Sequence, residues 1–184
     1  MESAIALYAL GTRQESRPQT LVEQARDGSR AAFGELYLQY SRMVHGLLLA
    51  RVPYSEVDDM VQDVFLLALH RLPSLRDEKA FPGWLAMIAR NHAVDYHRKA
   101  PKTTEIAEGM LRQNPPDPEA FAVMDTIRVI PDAYRETLVL RLVEGLTGPE
   151  IAEQTGLTPD SVRVNLHRGI KMLREKLEGS AAHE

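Results

Sequence analysis

Residues 147–178 read TGPEIAEQTGLTPDSVRVNLHRGIKMLREKLE, and their punctuation decides the fold. Thr147 followed three residues later by Glu150 is a capping box, in which the hydroxyl accepts from a first-turn amide and the carboxylate reaches back to the cap. The helix it opens runs to about Gln154, and Gly156 supplies the turn. Thr158-Pro159 then opens a longer helix that ends near Glu178-Gly179. At about 100° per residue, Val162, Leu166, Ile170, Leu173 and Leu177 share one stripe, the face expected to pack inward. Arg163, His167, Lys171 and Arg174 line the flank, with Ser161, Val164 and Arg168 beyond, and from Arg163 to Glu178 five cations stand against two acids. A short capped helix, a glycine turn and a long helix with a basic outer face form a helix-turn-helix, which sets the early residues of its second helix against base edges in a major groove. An amphipathic hairpin with Lys and Arg for solubility is the plainer alternative.

Working outward, apolar residues recur at three- and four-residue spacing from Leu21 onward, and strand-like alternation is hard to find. Pro53 and Pro73 break this pattern, and Ser55 with Asp58 resembles a capping box that predicts a helix start at Ser55. The stretch 100–118, APKTTEIAEGMLRQNPPDP, holds four of the eleven prolines and no sustained period, so it reads as a linker. Asp117-Pro118 is an N-cap with a first-turn proline and opens a helix to about Val129; Pro131 ends it, and Asp132 to Val143 forms the next. The expected fold is all-α: two small helical domains, about 20–99 and 118–178, joined by a flexible linker over 100–117, with the second domain ending in the helix-turn-helix. An N-terminal extension (1–19) and a tail (179–184) flank them.

Composition narrows the function classes. A length of 184 residues allows one domain or two small ones, and 44% apolar with only 6% aromatic residues suits a helical core of Leu, Val and Ala. The absence of cysteine removes disulfides, thiolate zinc sites and cysteine nucleophiles. No apolar run approaches the roughly 18 residues of a membrane span, and MESAIALYALGTRQE lacks a basic region before its short apolar stretch, so a cytoplasmic protein is expected. No nucleophile with an adjacent base, Gly-rich phosphate loop or paired-carboxylate signature is present. Neither catalysis nor a metal or other cofactor is expected. The net charge of −4 argues against a uniformly basic nucleic-acid binder, yet it averages unlike segments: residues 21–100 carry ten cations and ten acids, and 118–178 carry eight and ten.

Two further segments have unusual surfaces. In SEVDDMVQDVFLLAL (55–69), Val57, Met60, Val61, Val64, Leu67 and Ala68 share a core arc, while Asp58, Asp59, Gln62 and Asp63 share the opposite side with Leu66 among them. Such a face is either simply solvated or a protein contact with an apolar anchor in a polar rim. In FPGWLAMIARNHAVDYHRK (81–99), Leu85, Ile88, Ala89, His92 and Tyr96 fall on one arc, with His92 expected in the core; Trp84, Asn91 and Asp95 cluster beside it, and Arg90, His97 and Arg98 lie further round. Trp84 with this cationic rim is suited to stacking and holding unpaired bases, and equally suited to plugging a core.

Three blocks in this order and spacing resemble the bacterial RNA polymerase sigma factors of the small extracytoplasmic-function (ECF, group IV) type of the sigma-70 family: Asp58-Asp59-Met60-Val61-Gln62-Asp63-Val64-Phe65, then Ala80-Phe81-Pro82-Gly83-Trp84-Leu85 running to Ala89-Arg90-Asn91, then Leu146 to Leu177. The resemblance covers about Leu21 to Glu178. It implies that 20–99 is sigma region 2 and 118–178 sigma region 4, and that the chain directs promoter-specific initiation under the control of an anti-sigma factor. Asp58, Asp59, Gln62, Asp63 and Leu66 would dock on the clamp of the polymerase largest subunit. Arg71, Leu75, Trp84, Arg90, Asn91 and Arg98 would serve the minus-ten element, with Leu75 and Asn91 lining a pocket for an unpaired base. Ser161, Arg163, Val164, His167, Arg168 and Lys171 would read the minus-thirty-five element. Arg71 departs from the small residue relatives often carry near the captured base, and Val164, Asn165 and Ile170 make the recognition helix less basic than many. Residues 1–17 lie outside the resemblance. A stand-alone helix-turn-helix regulator would explain the C-terminal half but leaves the acidic Leu66 face and the Trp84 helix without a task.

Overall fold

The structure, a computed structural model, describes residues 20–99 and 118–181. The N-terminal extension, the linker with its Asp117 cap, and residues 182–184 lie outside the described residues. Within them the chain forms eight α-helices and no strand.

The capping box of Thr20 and Glu23 starts α1 (Leu21–Arg26), and Gly28, at φ +98°, turns the chain into α2 (Arg30–Leu49), capped by Ser29. The next helix, α3 (Tyr54–Arg71), begins one residue before the expected Ser55 start, on Pro53 and without a side-chain cap. The Ser55 hydroxyl donates instead to its neighbour Glu56, so the Ser55–Asp58 spacing is not a capping box here. Two 3₁₀ turns, Leu72–Ser74 and Glu78–Ala80, carry the Pro73 loop to α4 (Phe81–Lys99). These elements surround α2, whose Met43, Val44, Leu47 and Leu48 are fully buried.

The second half comprises α5 (Pro118–Arg128), α6 (Asp132–Leu142), α7 (Gly148–Thr155) and α8 (Pro159–Ala181). The capping box of Thr147 and Glu150 is formed, and Gly156 closes α7 in the left-handed region at φ +75°, as expected. On α8 the inward stripe is Val162, Leu166, Gly169, Leu173 and Leu177. Ile170, expected in that stripe, is 39% exposed; Gly169 takes the central position because Leu138 of α6 lies where a side chain would be, 2.9 Å from an ideal Cβ. Close approach of the two helices demands the missing side chain.

The halves pack directly on one another through α6, which contacts both α2 and α8, and through α7, which contacts α4. Five consecutive residues of α6, Glu136 to Leu140, are buried, so this helix has no solvent face over more than one turn. Glu136 lies between two guanidinium groups of the first half. Arg51 Nη2 donates to Oε2 at 2.7 Å, while Arg90 donates from Nη2 to Oε1 at 2.5 Å and from Nε to Oε2 at 3.1 Å. Burial alone pushes the Glu136 carboxyl upward, but the hydrogen bonds and charges of Arg90 and Arg51 outweigh it and hold the group below the ordinary carboxylate value. Nearby, Arg135 Nη1 donates to the Ala50 carbonyl at 3.3 Å, and His45 Nδ1 lies 2.6 Å from Glu144 Oε1. The hydrogen bond to Glu144 raises the His45 pKa, burial opposes it, and the charges of Glu144 and Asp58 add to the rise.

Gly169→Val should lower the free energy of unfolding in urea by about 1–3 kcal/mol through overpacking against Leu138, whereas Ile170→Ala at the exposed position should cost well under about 1 kcal/mol. The raised His45 pKa stabilises the native state fully below the ordinary value of 6.5, and that contribution is lost as pH rises through the raised value. The thermal midpoint of the native chain should therefore exceed that of His45→Gln most below the ordinary value of 6.5, with the gap shrinking as pH rises above it.

Candidate nucleic-acid and partner interfaces

Three exposed faces carry the residues singled out in the sequence. On α3 the apolar arc is buried at Val57, Met60, Val61, Val64 and Ala68, and Phe65, absent from the expected arc, is buried with them. Phe65 packs edge-on to Phe33 and lies tilted against Tyr37, both on α2, with the Tyr37 ring centroid 4.6 Å away. This anchoring turns Asp58, Asp59, Gln62 and Asp63 to solvent and leaves Leu66 64% exposed, with Leu69 also exposed one turn on. A large aliphatic side chain standing free within a ring of carboxylates has the composition of a contact anchor with a polar rim.

The second face is the Pro73 loop with α4. Leu85, Ile88 and Ala89 are buried as expected, joined by Ala86 and Ala93. His92 is not a core residue: it is half-buried, and its Nε2 sits 3.6 Å from Asp63 Oδ2 on α3. The cause is the wide cleft between the exposed edges of α3 and α4, lined by Glu56, Asp59, Asp63, His92 and Asp95. Trp84 is half-buried against Phe81, with ring centroids 5.9 Å apart, so one part of the indole is packed and the rest is accessible. Asn91, Arg71 and Arg98 are exposed, Arg98 in a 3.0 Å pair with Asp95. Two expected contacts are covered in this conformation. Leu75 is buried in the core and its carbonyl accepts from Arg26 Nη1, and Arg90 is half-buried on Glu136.

The third face is the outer side of α8. Thr158 Oγ1 accepts from the Ser161 amide at 3.2 Å and so caps the helix. Ser161, Arg163, Val164, His167, Arg168 and Lys171 all reach the surface. Arg163 pairs with Asp160 at 3.2 Å and Lys171 with Glu175 at 3.9 Å, both in solvent, where such pairs contribute roughly 0–1 kcal/mol and yield readily to a phosphate. The cap of the preceding helix is itself fixed electrostatically: the Thr147 hydroxyl and amide, both donating to Glu150, hold that carboxyl below its ordinary value.

Sequence reasoning missed the residues that join the halves, namely His45, Arg51, Glu136 and Glu144. One signal was present. Thr137-Leu138-Val139-Leu140 is uncharged all round a turn of helix, which marks a helix covered on every side, and a Glu at its border then requires a cationic partner.

Comparison with known proteins identifies the family. Residues 36–103 match the Sigma-70 region 2 family, and residues 120–173 match the family Sigma-70, region 4. The chain is 32% identical to the ECF RNA polymerase sigma-E factor of Haemophilus influenzae over 87% of its length and 95% of that protein. It is 33% identical to the RNA polymerase sigma factor SigZ of Bacillus subtilis, over 68% of this chain and 74% of that one. Among solved structures, CnrH in complex with the cytosolic domain of CnrY superposes with a TM-score of 0.61 at 28% identity, covering 86% of this chain and 96% of that one. The all-helical architecture, the two matched regions in order and a relative aligned over 87% of the chain have one explanation: this protein belongs to the extracytoplasmic-function sigma factors of bacterial RNA polymerase.

Proposed function

We propose that this sigma factor divides its work among the three exposed faces, and that one observation carries the division: each face is built on a helix whose opposite side is packed in the core, so its polar side chains point outward. The acidic side of α3, with Asp58, Asp59, Gln62 and Asp63 around Leu66, docks on the clamp of the polymerase largest subunit. The Pro73 loop and α4 serve the minus-ten element. Trp84 and Asn91 meet unpaired bases, Arg71 and Arg98 meet phosphate, and Leu75 and Arg90 join them once they are uncovered. The outer face of α8 reads the minus-thirty-five element, with Ser161, Arg163, Val164, His167, Arg168 and Lys171 against the duplex. The protein supplies recognition and melting and no catalysis, and it acts in the cytoplasm, where its polymerase is.

Control by an anti-sigma protein is part of this reading. It is supported by the similarity to CnrH, whose structure was solved in complex with the cytosolic domain of CnrY. Residues 20–99 act as the core-binding and minus-ten domain and 118–178 as the minus-thirty-five domain, a division supported by the two separate family matches.

Purified protein added to core polymerase should give discrete, promoter-specific transcripts on genomic fragments; their absence would sink the reading. The double substitution Asp63→Arg with Leu66→Ala should weaken core binding by at least about tenfold in a competition assay without changing the thermal midpoint, because both side chains are exposed. Replacing Arg163 and Lys171 by Ala should reduce the salt dependence of promoter binding by the holoenzyme, by about one unit of log–log slope for each phosphate left without its cation.

A further inference from the structure

We propose that α1 is the positioning element of the minus-ten loop: Thr20 and Arg26 clasp the two ends of segment 75–78 and so set Arg76 against the unpaired strand before any DNA arrives. The proposal rests on the assignment of the Pro73 loop to the minus-ten element and names what holds and orients that site.

The loop is poorly fixed by its own structure. Its two 3₁₀ turns, Leu72–Ser74 and Glu78–Ala80, are three residues each, and turns of that kind have weak hydrogen-bond geometry. Between them Leu75 and Asp77 are extended, so no helix runs through. Of residues 72–80 only Leu72 and Leu75 are buried; Glu78 is half-buried and the others are exposed. A surface segment held so lightly would have to be ordered at the moment of binding, at an entropic cost to affinity.

The helix α1 supplies what the loop lacks. It packs on α2 and on the first 3₁₀ turn, with its Val22 and Ala25 buried. From its two ends it reaches the loop at two points. Arg26 Nη1, at the C-terminal end, donates to the Leu75 carbonyl at 3.3 Å, and the Thr20 hydroxyl, at the N-terminal end, donates to Glu78 Oε2. A hydroxyl has one proton to donate and two lone pairs to accept with. Thr20 uses both capacities: Oγ1 accepts from the Glu23 amide at 3.2 Å, which caps α1, while its proton goes to Glu78. The cap of the helix and the clasp on the loop are thus the same atom.

With Leu75 held by its carbonyl and Glu78 by its carboxylate, the two residues between them have fixed ends. Both are exposed. The Asp77 carboxylate accepts from the Lys79 amide at 3.0 Å, which turns it back along the loop and leaves Arg76 as the outward cation of the tip. A guanidinium on a tip already fixed can meet a phosphate or the edge of a displaced base with little further ordering.

Substitutions separate the cap from the clasp. Thr20→Asp keeps a good N-cap but replaces the donor by a second carboxylate facing Glu78, whereas Thr20→Ser keeps both functions. Arg26→Met keeps an aliphatic stem and removes the donor. Holoenzyme assembled with saturating core polymerase is titrated with a single-stranded oligonucleotide carrying the non-template minus-ten sequence upstream of a mapped transcript start, and with a scrambled strand. Thr20→Asp and Arg26→Met should each weaken binding of the minus-ten strand by about two- to tenfold, the range a single hydrogen bond supports, while Thr20→Ser should bind as the native chain does. Amide exchange over residues 72–80 should quicken in the two weakened variants, with α2 keeping its protection. Arg76→Ala should weaken binding to a similar degree, and adding Thr20→Asp to it should cost little more, because the clasp acts through that side chain. Unchanged exchange in both variants overturns the positioning role, as does faster exchange with native affinity, or losses that add in full to that of Arg76→Ala. If the native holoenzyme binds the minus-ten and scrambled strands alike, the assignment of the loop falls and the proposal with it, whereas native discrimination that survives both substitutions removes only the role of α1.

Discussion

A single carboxylate organises how the two halves meet. Glu136 opens the buried turn of α6 and is 6% exposed, so its charge is largely stripped of water. Removing an ion from water costs several kcal/mol, and the three hydrogen bonds from Arg51 and Arg90 repay that only in one arrangement. Buried ion clusters of this kind add little net stability compared with an apolar contact, but they tolerate no slippage, because a shift of an ångström or two leaves a bare charge in a dry interface. The apolar contacts of Leu140 against Gly46 supply attraction, and Glu136 decides where α6 comes to rest. The positions of α7 and α8 follow from that, since α6 packs on both.

Much of the fold is written locally. The caps at Thr147 and Thr158, the prolines at 53, 73 and 131, and the left-handed Gly156 act over three or four residues, so a reader of the sequence sees the same forces that the chain obeys. The exposed acidic side of α3 is equally legible, because the 3.6-residue period separates Val57, Val61 and Val64 from Asp58, Asp59 and Gln62 without reference to the rest of the molecule.

What was not legible depends on distant neighbours. Ile170 and Gly169 are adjacent on α8, and periodicity favours the isoleucine as the buried one until Leu138 of another helix is seen to need the space. His92 sits on an apolar arc by angle, yet α3 and α4 splay where it projects, so it meets Asp63 rather than the core. The Ser55 cap fails because the preceding Pro53 already starts the helix, at Tyr54. Arg51 and Glu136 are 85 positions apart, and no window of sequence contains both. The period of a helix thus separates its outer side from its core side, while the particular neighbour that a buried position meets is set elsewhere in the chain.

Arg51 carries one more consequence. Its Nη1 donates to the Leu47 carbonyl at 3.0 Å, and its own carbonyl accepts from His97 Nε2 at 2.7 Å, both within the first half. The residue is therefore held by its own unit as well as by Glu136, and little rotamer entropy is lost in placing it against the carboxylate. The ion contact therefore forms without further ordering of the arginine, and the carboxylate of α6 meets a donor already fixed in place.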